Sequence, residues 1–259
     1  MDNQASVYIS VCSRRNPEWE MYTSLQRAIY FAQRYGINTQ LVPRVGGTLI
    51  CRERQRAFGD FLKSESTHLL TLDDDIVLPE DAIVRLVGAN KDIVGGVYRL
   101  KDMSAARVAI RIPKTRMWPF ILKANIVSEA DYLSSGCMLI SRAAAVKMVS
   151  AYDEDLWYSE NVSMERLCAL YQPYIHTHKS DMREYLSEDW AFCQRARNIG
   201  LGLHVHGGVK CGHWGLYNFD FYFPEKFVMD LGKWDDVREG EGKYKLTDAD
   251  HETMEETTI

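Results

Sequence analysis

Three consecutive aspartates, Asp73, Asp74 and Asp75, close the apolar run His68-Leu69-Leu70-Thr71-Leu72. Carboxylates a few ångströms apart repel and raise each other's pKa. A divalent cation that bridges onward to phosphate oxygens relieves that repulsion, and Mg2+ and Mn2+ prefer such oxygen ligands. Near the N-terminus, Ser13-Arg14-Arg15 closes a second β-branched run. Acid and base thus stand at the ends of two runs that read as strands, and cation-assisted phosphate chemistry is what they suit.

The surrounding elements decide whether these residues meet. Ala5 to Val11 alternates and reads as a strand. Pro17 to Tyr35 has helical spacing, with Trp19, Tyr22, Leu25, Ile29 and Ala32 as its apolar face and Gly36 as its stop. A strand over Ile37–Val42, a helix over Cys51–Lys63 and a strand over His68–Leu72 follow. A helix over Pro79–Gly88, with Pro79 at its first position, leads to a strand over Asp92–Tyr98. This β-α-β-α-β-α-β order implies an α/β fold with a parallel sheet covered on both faces. Ligands of such sheets bind at the carboxyl ends of the strands, where Asp73–Asp75 and Arg14 both fall. Further on, strands are expected around Ser134-Ser135-Gly136, helices over Arg142–Tyr152 and Ser187–Ile199, and a strand over Leu203–Val209. Asp153 to Ser187 reads as irregular and aromatic-rich.

At 259 residues and 46% apolar content the chain can bury a substantial core. No apolar run reaches about 18 residues, so no transmembrane helix is expected. The N-terminal residues lack signal-peptide character, and six scattered cysteines form no CxxC pair. A cytoplasmic protein with reduced thiols is expected. The net charge of -5 gives no general attraction for nucleic acid or anionic membrane. The basic stretch Arg99–Lys123 is the local exception, and the acidic end after Asp235 reads as a solvated tail.

Four local sequences stand in order: Leu72-Asp73-Asp74-Asp75, Ser135-Gly136-Cys137-Met138, Ser187-Glu188-Asp189-Trp190 and Gly212-His213. This order resembles the GT-A glycosyltransferases, nucleotide-sugar-dependent enzymes with a D-x-D motif. It is similar in particular to their compact viral and bacterial type, which carries an Arg-rich helix (here Arg52, Arg54, Arg56) before the D-x-D strand. The resemblance implies a Rossmann-like three-layer sandwich with a mostly parallel central sheet. It spans residues 1–220 as one domain, with 221–259 as a C-terminal helix and acidic tail. It implies Asp75, Asp73 and His213 around Mn2+ or Mg2+, and Arg14, Arg52, Asp73 and Asp74 around the nucleotide-diphosphate sugar donor. Asp189 would be the base of an inverting transfer, with Glu188 the competing choice. The acceptor would be a glycan, a lipid-linked sugar or a modified DNA base, and the site of action the cytoplasm, a host's if the chain is viral. No protein partner is inferable.

Plainer readings stand beside these. The aspartates also suit a helix cap, and Glu188 and Asp189 suit the positive end of a helix dipole. His213 beside Trp214 also suits a packed core. Arg52 and Arg56 share a helical face at i and i+4, and one of the three arginines can pair with the aspartates as support. Trp157, Tyr158, Tyr171, Tyr174 and Tyr185 suit either a sugar-stacking surface or the core of a small subdomain. A Mg2+-dependent phosphotransfer enzyme or nuclease is the alternative use of the same carboxylates. No P-loop GxxxxGK[ST] is present.

Overall fold

The first strand, Ser6–Ser13 (β1), is buried from Val7 onward, as expected of a strand covered on both faces. The computed structural model describes residues 4–14, 17–101, 108–113, 120–121, 126–160, 164–215, 218–219 and 228–229. After β1 come α1 (Trp19–Arg34), β2 (Asn38–Val45), α2 (Ile50–Lys63), β3 (His68–Asp73), β4 (Ile76–Val77), α3 (Ala82–Gly88) and β5 (Ile93–Val97). Short strands β6 (Ile110–Arg111), β7 (Phe120–Ile121), β8 (Val127–Ala130) and β9 (Tyr132–Leu133) lead to β10 (Cys137–Ser141) and α4 (Arg142–Leu156). The hairpins β11 (Trp157–Ser159) with β12 (Arg166–Cys168), and β13 (Tyr174–Thr177) with β14 (Arg183–Leu186), precede α5 (Glu188–Asn198). The described chain closes with β15 (Leu203–Lys210), β16 (Gly212–His213) and β17 (Val228–Met229).

The central sheet has seven strands in the order β2-β1-β3-β10-β5-β15-β8. β1 is parallel to β2 and β3, and β15 to β5. β10 is antiparallel to both β3 and β5, so those two run alike. β8 is antiparallel to β15. Five strands therefore point one way, and β1 and β3 deliver Ser13 and Asp73 to the same edge. α1 and α3 pack one face through Met21, Leu25, Ala28, Ile83 and Leu86. α2, α4 and α5 pack the other through Phe58, Phe61, Met148 and Phe192. The result is a three-layer α/β sandwich of the expected class.

Four expectations are corrected. An antiparallel strand, β10, separates β3 from β5; its apolar run is almost wholly buried, and such a run carries no sign of strand direction. α3 starts at Ala82, because Pro79 instead accepts the Ala82 N–H in a preceding turn. Trp19 and Tyr22 lie 70% and 41% exposed, while Met21, Ser24, Leu25, Ala28 and Ala32 face the sheet. That helix carries two apolar stripes, and aromatic residues with polar tips take the wet one. Asp153–Ser187 is less irregular than expected: α4 runs on to Leu156 and two hairpins follow.

The expected C-terminal helix and acidic tail fall outside the described residues, Val228 and Met229 apart. So do Arg15, Arg107, Lys114, Arg116 and Lys123. All six cysteines are free thiols. Among the described residues no helix is long and apolar enough to cross a membrane.

Candidate active site at the strand ends

Arg54 organises the site. It occupies the inward stripe of α2 with Ala57, Phe58 and Phe61, and its side chain is 3% exposed. One guanidinium nitrogen donates to Asp73 Oδ1 at 2.6 Å, and another pairs with Glu188 at the first turn of α5. A buried guanidinium is costly unless carboxylates compensate it. Burial lowers its proton affinity, but Asp73, Glu188 and Asp189 together raise it above the usual range. The end of β3 is thereby tied to the start of α5. The signal for Arg54 was in the sequence: a charged residue on an otherwise apolar helical stripe.

The three aspartates diverge. Asp73 faces Arg54, and its N–H donates to Gly136 O at 3.1 Å. A Cβ at Gly136 would stand 2.9 Å from Asp73 Oδ2 and closer still to the Tyr98 hydroxyl, so the turn before β10 admits only hydrogen there. Asp74 turns toward β1 and accepts the Ser13 hydroxyl at 2.5 Å. Burial raises its pKa; the Ser13 hydrogen bond opposes this, while Asp75 and Asp73 add to it.

Asp75 faces the opposite half of the chain. β4 pairs with β16, setting Ile76 opposite His213, and the Trp214 N–H donates to Asp75 O at 2.7 Å. Asp75 Oδ2 lies 3.5 Å from His213 Nε2 and 2.5 Å from Lys101 Nζ. Burial works to raise the Asp75 pKa, but His213 and Lys101 outweigh it and the net shift is downward. His213 Nδ1 lies 2.7 Å from Arg99 O. A carbonyl only accepts, so Nδ1 carries the hydrogen, and Nε2 is the ring nitrogen that faces Asp75. The ring also meets Tyr98 edge-on, at 5.3 Å between centroids.

This donor set fits a divalent cation. A carboxylate oxygen and an imidazole nitrogen 3.5 Å apart can each reach one ion at about 2.1 Å. A ring N–H held by a backbone carbonyl is the usual support of a metal-binding histidine. Asp75 and His213 are the pair brought together; Asp73, also expected as a ligand, has its Oδ1 on Arg54. Among the described residues no three His, Cys, Asp or Glu side chains converge as a metal cluster. Further ligands would have to come from substrate oxygens or water.

At α5, Asp189 Oδ1 accepts the Trp190 N–H at 2.8 Å and the Ser187 hydroxyl. Trp190 stacks on Tyr132 at 4.9 Å, and Arg111 covers both rings while gripping Glu184. The first turn of α5 is thus anchored from both sides.

Other expected residues lie elsewhere. Arg14 is exposed at the end of β1. Arg52 does not reach the aspartates: it donates to both oxygens of Glu160, at 3.1 and 2.6 Å, and Arg56 joins at 2.9 Å. These hydrogen bonds pull the Glu160 pKa down to about 2. Tyr171 is core, stacked on Phe192 at 4.6 Å, whereas Trp157 and Tyr185 are exposed. His204 and His206, half-buried and buried on β15, have pKa values lowered by burial. A cleft of about 520 Å3 lies beside α2, lined by Arg52, Gln55, Trp157, Tyr158 and Glu160. It is not at the aspartates, and the cluster of opposed charges at the strand ends is the stronger mark of a site.

No family model matches the chain, and no curated protein matches it. Among solved structures it is similar to A197 from STIV, at 14% identity over 87% of this chain and 89% of that one, with a TM-score of 0.45. It is similar to GalNAc-T7 with UDP, GalNAc and Mn2+, at 10% identity over 82% of this chain and 44% of that one, TM-score 0.47. A Drosophila galactosyltransferase 7 mutant in complex with manganese, UDP-Gal and xylobiose matches at 10% identity over 95% and 79%, TM-score 0.39. At these identities and scores, what the site can do is read from its own side chains.

Proposed function

We propose that the chain is a metal-dependent glycosyltransferase that moves a sugar from a nucleotide-diphosphate donor to an acceptor hydroxyl with inversion, acting in the cytosol. The observation that carries this reading is the double junction at one sheet edge. Asp75 Oδ2 and His213 Nε2 lie 3.5 Å apart, and Arg54 joins Asp73 to the α5 turn that bears Asp189. Asp75 and His213 would hold Mn2+ or Mg2+, which when bound supplies Lewis-acid stabilisation of the departing diphosphate. Asp73 is placed to orient the donor, its inner oxygen fixed by Arg54. Asp74 supports the turn through Ser13, and exposed Arg14 would contact the nucleotide or its phosphates. Asp189 is the base that takes the acceptor proton, one of its oxygens held by Ser187 and Trp190. Glu188, neutralised by Arg54, positions that turn. The acceptor is a glycan, a lipid-linked sugar or a modified DNA base. Phosphotransfer through two metals needs a second carboxylate group facing Asp75, whereas Glu188 is turned to Arg54.

The test is thermal unfolding with UDP, GDP, CDP or dTDP, each with and without Mn2+. A ligand of the folded state raises Tm by mass action. One nucleotide is expected to raise it, only with Mn2+, and Asp75→Ala is expected to abolish the shift. No shift with any nucleotide overturns the reading.

A further inference from the structure

Lys101 stands where the proposed function needs a cation. Its ammonium lies 2.5 Å from Asp75 Oδ2, the same oxygen that faces His213 Nε2 at 3.5 Å. Asp75 and His213 are both fixed. The β4–β16 pairing and the Trp214 N–H set the aspartate backbone, and Arg99 O sets the imidazole ring. Lys101 is the adaptable member of the group. Its side chain is 35% exposed and its stem passes Gly215, where a Cβ would stand 3.2 Å from Lys101 Cδ. A flexible stem with a point charge leaves a carboxylate more readily than the two fixed groups can part.

An ammonium and a divalent cation cannot share one carboxylate oxygen without strong repulsion. We infer that Lys101 is a tethered counter-ion: it neutralises Asp75 in the donor-free protein and yields that oxygen when the divalent cation binds. The inference rests on the metal-dependent reading above and adds a competitor built into the chain. Lys101 holds the Asp75 carboxylate neutralised without metal and sets the apparent metal affinity. An ammonium on Asp75 for about nine-tenths of the time would weaken that affinity about tenfold.

The experiment is a nucleotide-free Mn2+ titration, followed by the electron paramagnetic resonance of free Mn2+. It compares wild type, Lys101→Met, Lys101→Arg and Asp75→Asn. Lys101→Met is expected to bind Mn2+ about tenfold tighter than wild type. Lys101→Arg, which keeps the charge, is expected to stay within about twofold of wild type. Asp75→Asn is expected to lose the site. Equal or weaker Mn2+ binding by Lys101→Met overturns the inference while leaving the metal site standing. Binding by wild type and Lys101→Met no stronger than by Asp75→Asn overturns the metal-dependent reading and this inference with it.

Discussion

Two charge clusters flank the same helix, and their balances differ. Around Glu160, one buried carboxylate meets two guanidinium groups, Arg52 and Arg56. Around Arg54, one buried guanidinium meets Asp73 and Glu188, with Asp189 near enough to act on it. The first cluster is closed: Glu160 binds the loop after β11 to α2, and Glu53 meets Arg56 at 2.8 Å from the other side. The second retains surplus negative charge at the sheet edge, where Lys101 already stands on Asp75. A cluster with its charge met locally serves structure, whereas one left negative beside a sheet edge has affinity to spend on a ligand. Two arginines on one helix, two positions apart, thus have different roles.

Mutations should separate the clusters. Asp189→Asn is expected to lower the transfer rate about 100- to 10,000-fold, the usual range for losing a general base. Donor binding and Tm should stay near wild type; unchanged turnover would remove Asp189 from the base role. Arg54→Met leaves Asp73 and Glu188 unpaired, and loss of one partner from a buried ion pair costs about 3–5 kcal/mol. Urea unfolding should show that loss, and thermal shift should show weaker donor binding. Loss of stability with intact donor binding would make Arg54 as structural as Arg52.

Glu160→Gln is the mildest of the three and should change stability alone, with the donor-dependent Tm shift retained. Its sign with pH follows from the lowered pKa. A carboxylate at 4.5 unfolded and about 2 folded contributes fully above pH 4.5 and loses its contribution as pH falls through about 2. Wild type should therefore lose stability more steeply than Glu160→Gln across that interval, as measured by acid titration of Tm. Parallel curves would mean that the Arg52 and Arg56 contacts do not hold Glu160 in solution.

Much of this was legible from period and punctuation. β1 alternates, β3 is a mostly apolar run, Gly36 adopts φ +75° after α1, and the aspartates fall at a strand end. Asp75 and His213, far apart in sequence, meet as motif order suggests. What was not legible is what depends on partners distant in sequence. Arg52 and Arg54 look alike in a list of arginines. Only the 54-57-58-61 stripe marks which one faces the sheet, and only Glu160 and Asp73 settle what each meets. The direction of β10 was hidden for a related reason: Cys137–Ser141 is buried on both faces, so its pattern fits either orientation.

That strand bears on how the molecule comes into being. β10 (Cys137–Ser141) lies between β3 (His68–Asp73) and β5 (Ile93–Val97), so it separates two strands that both leave the ribosome well before it. The first hundred residues emerge with β1, β2 and β3 free to pair, but with the inner edge of β3 open and β5 detached. An open edge of this kind is a template for wrong pairing during synthesis. The insertion that completes the sheet also carries Gly136 to Asp73. The aspartate turn is therefore finished only when the second half of the chain arrives, bringing β10 and α5 with it.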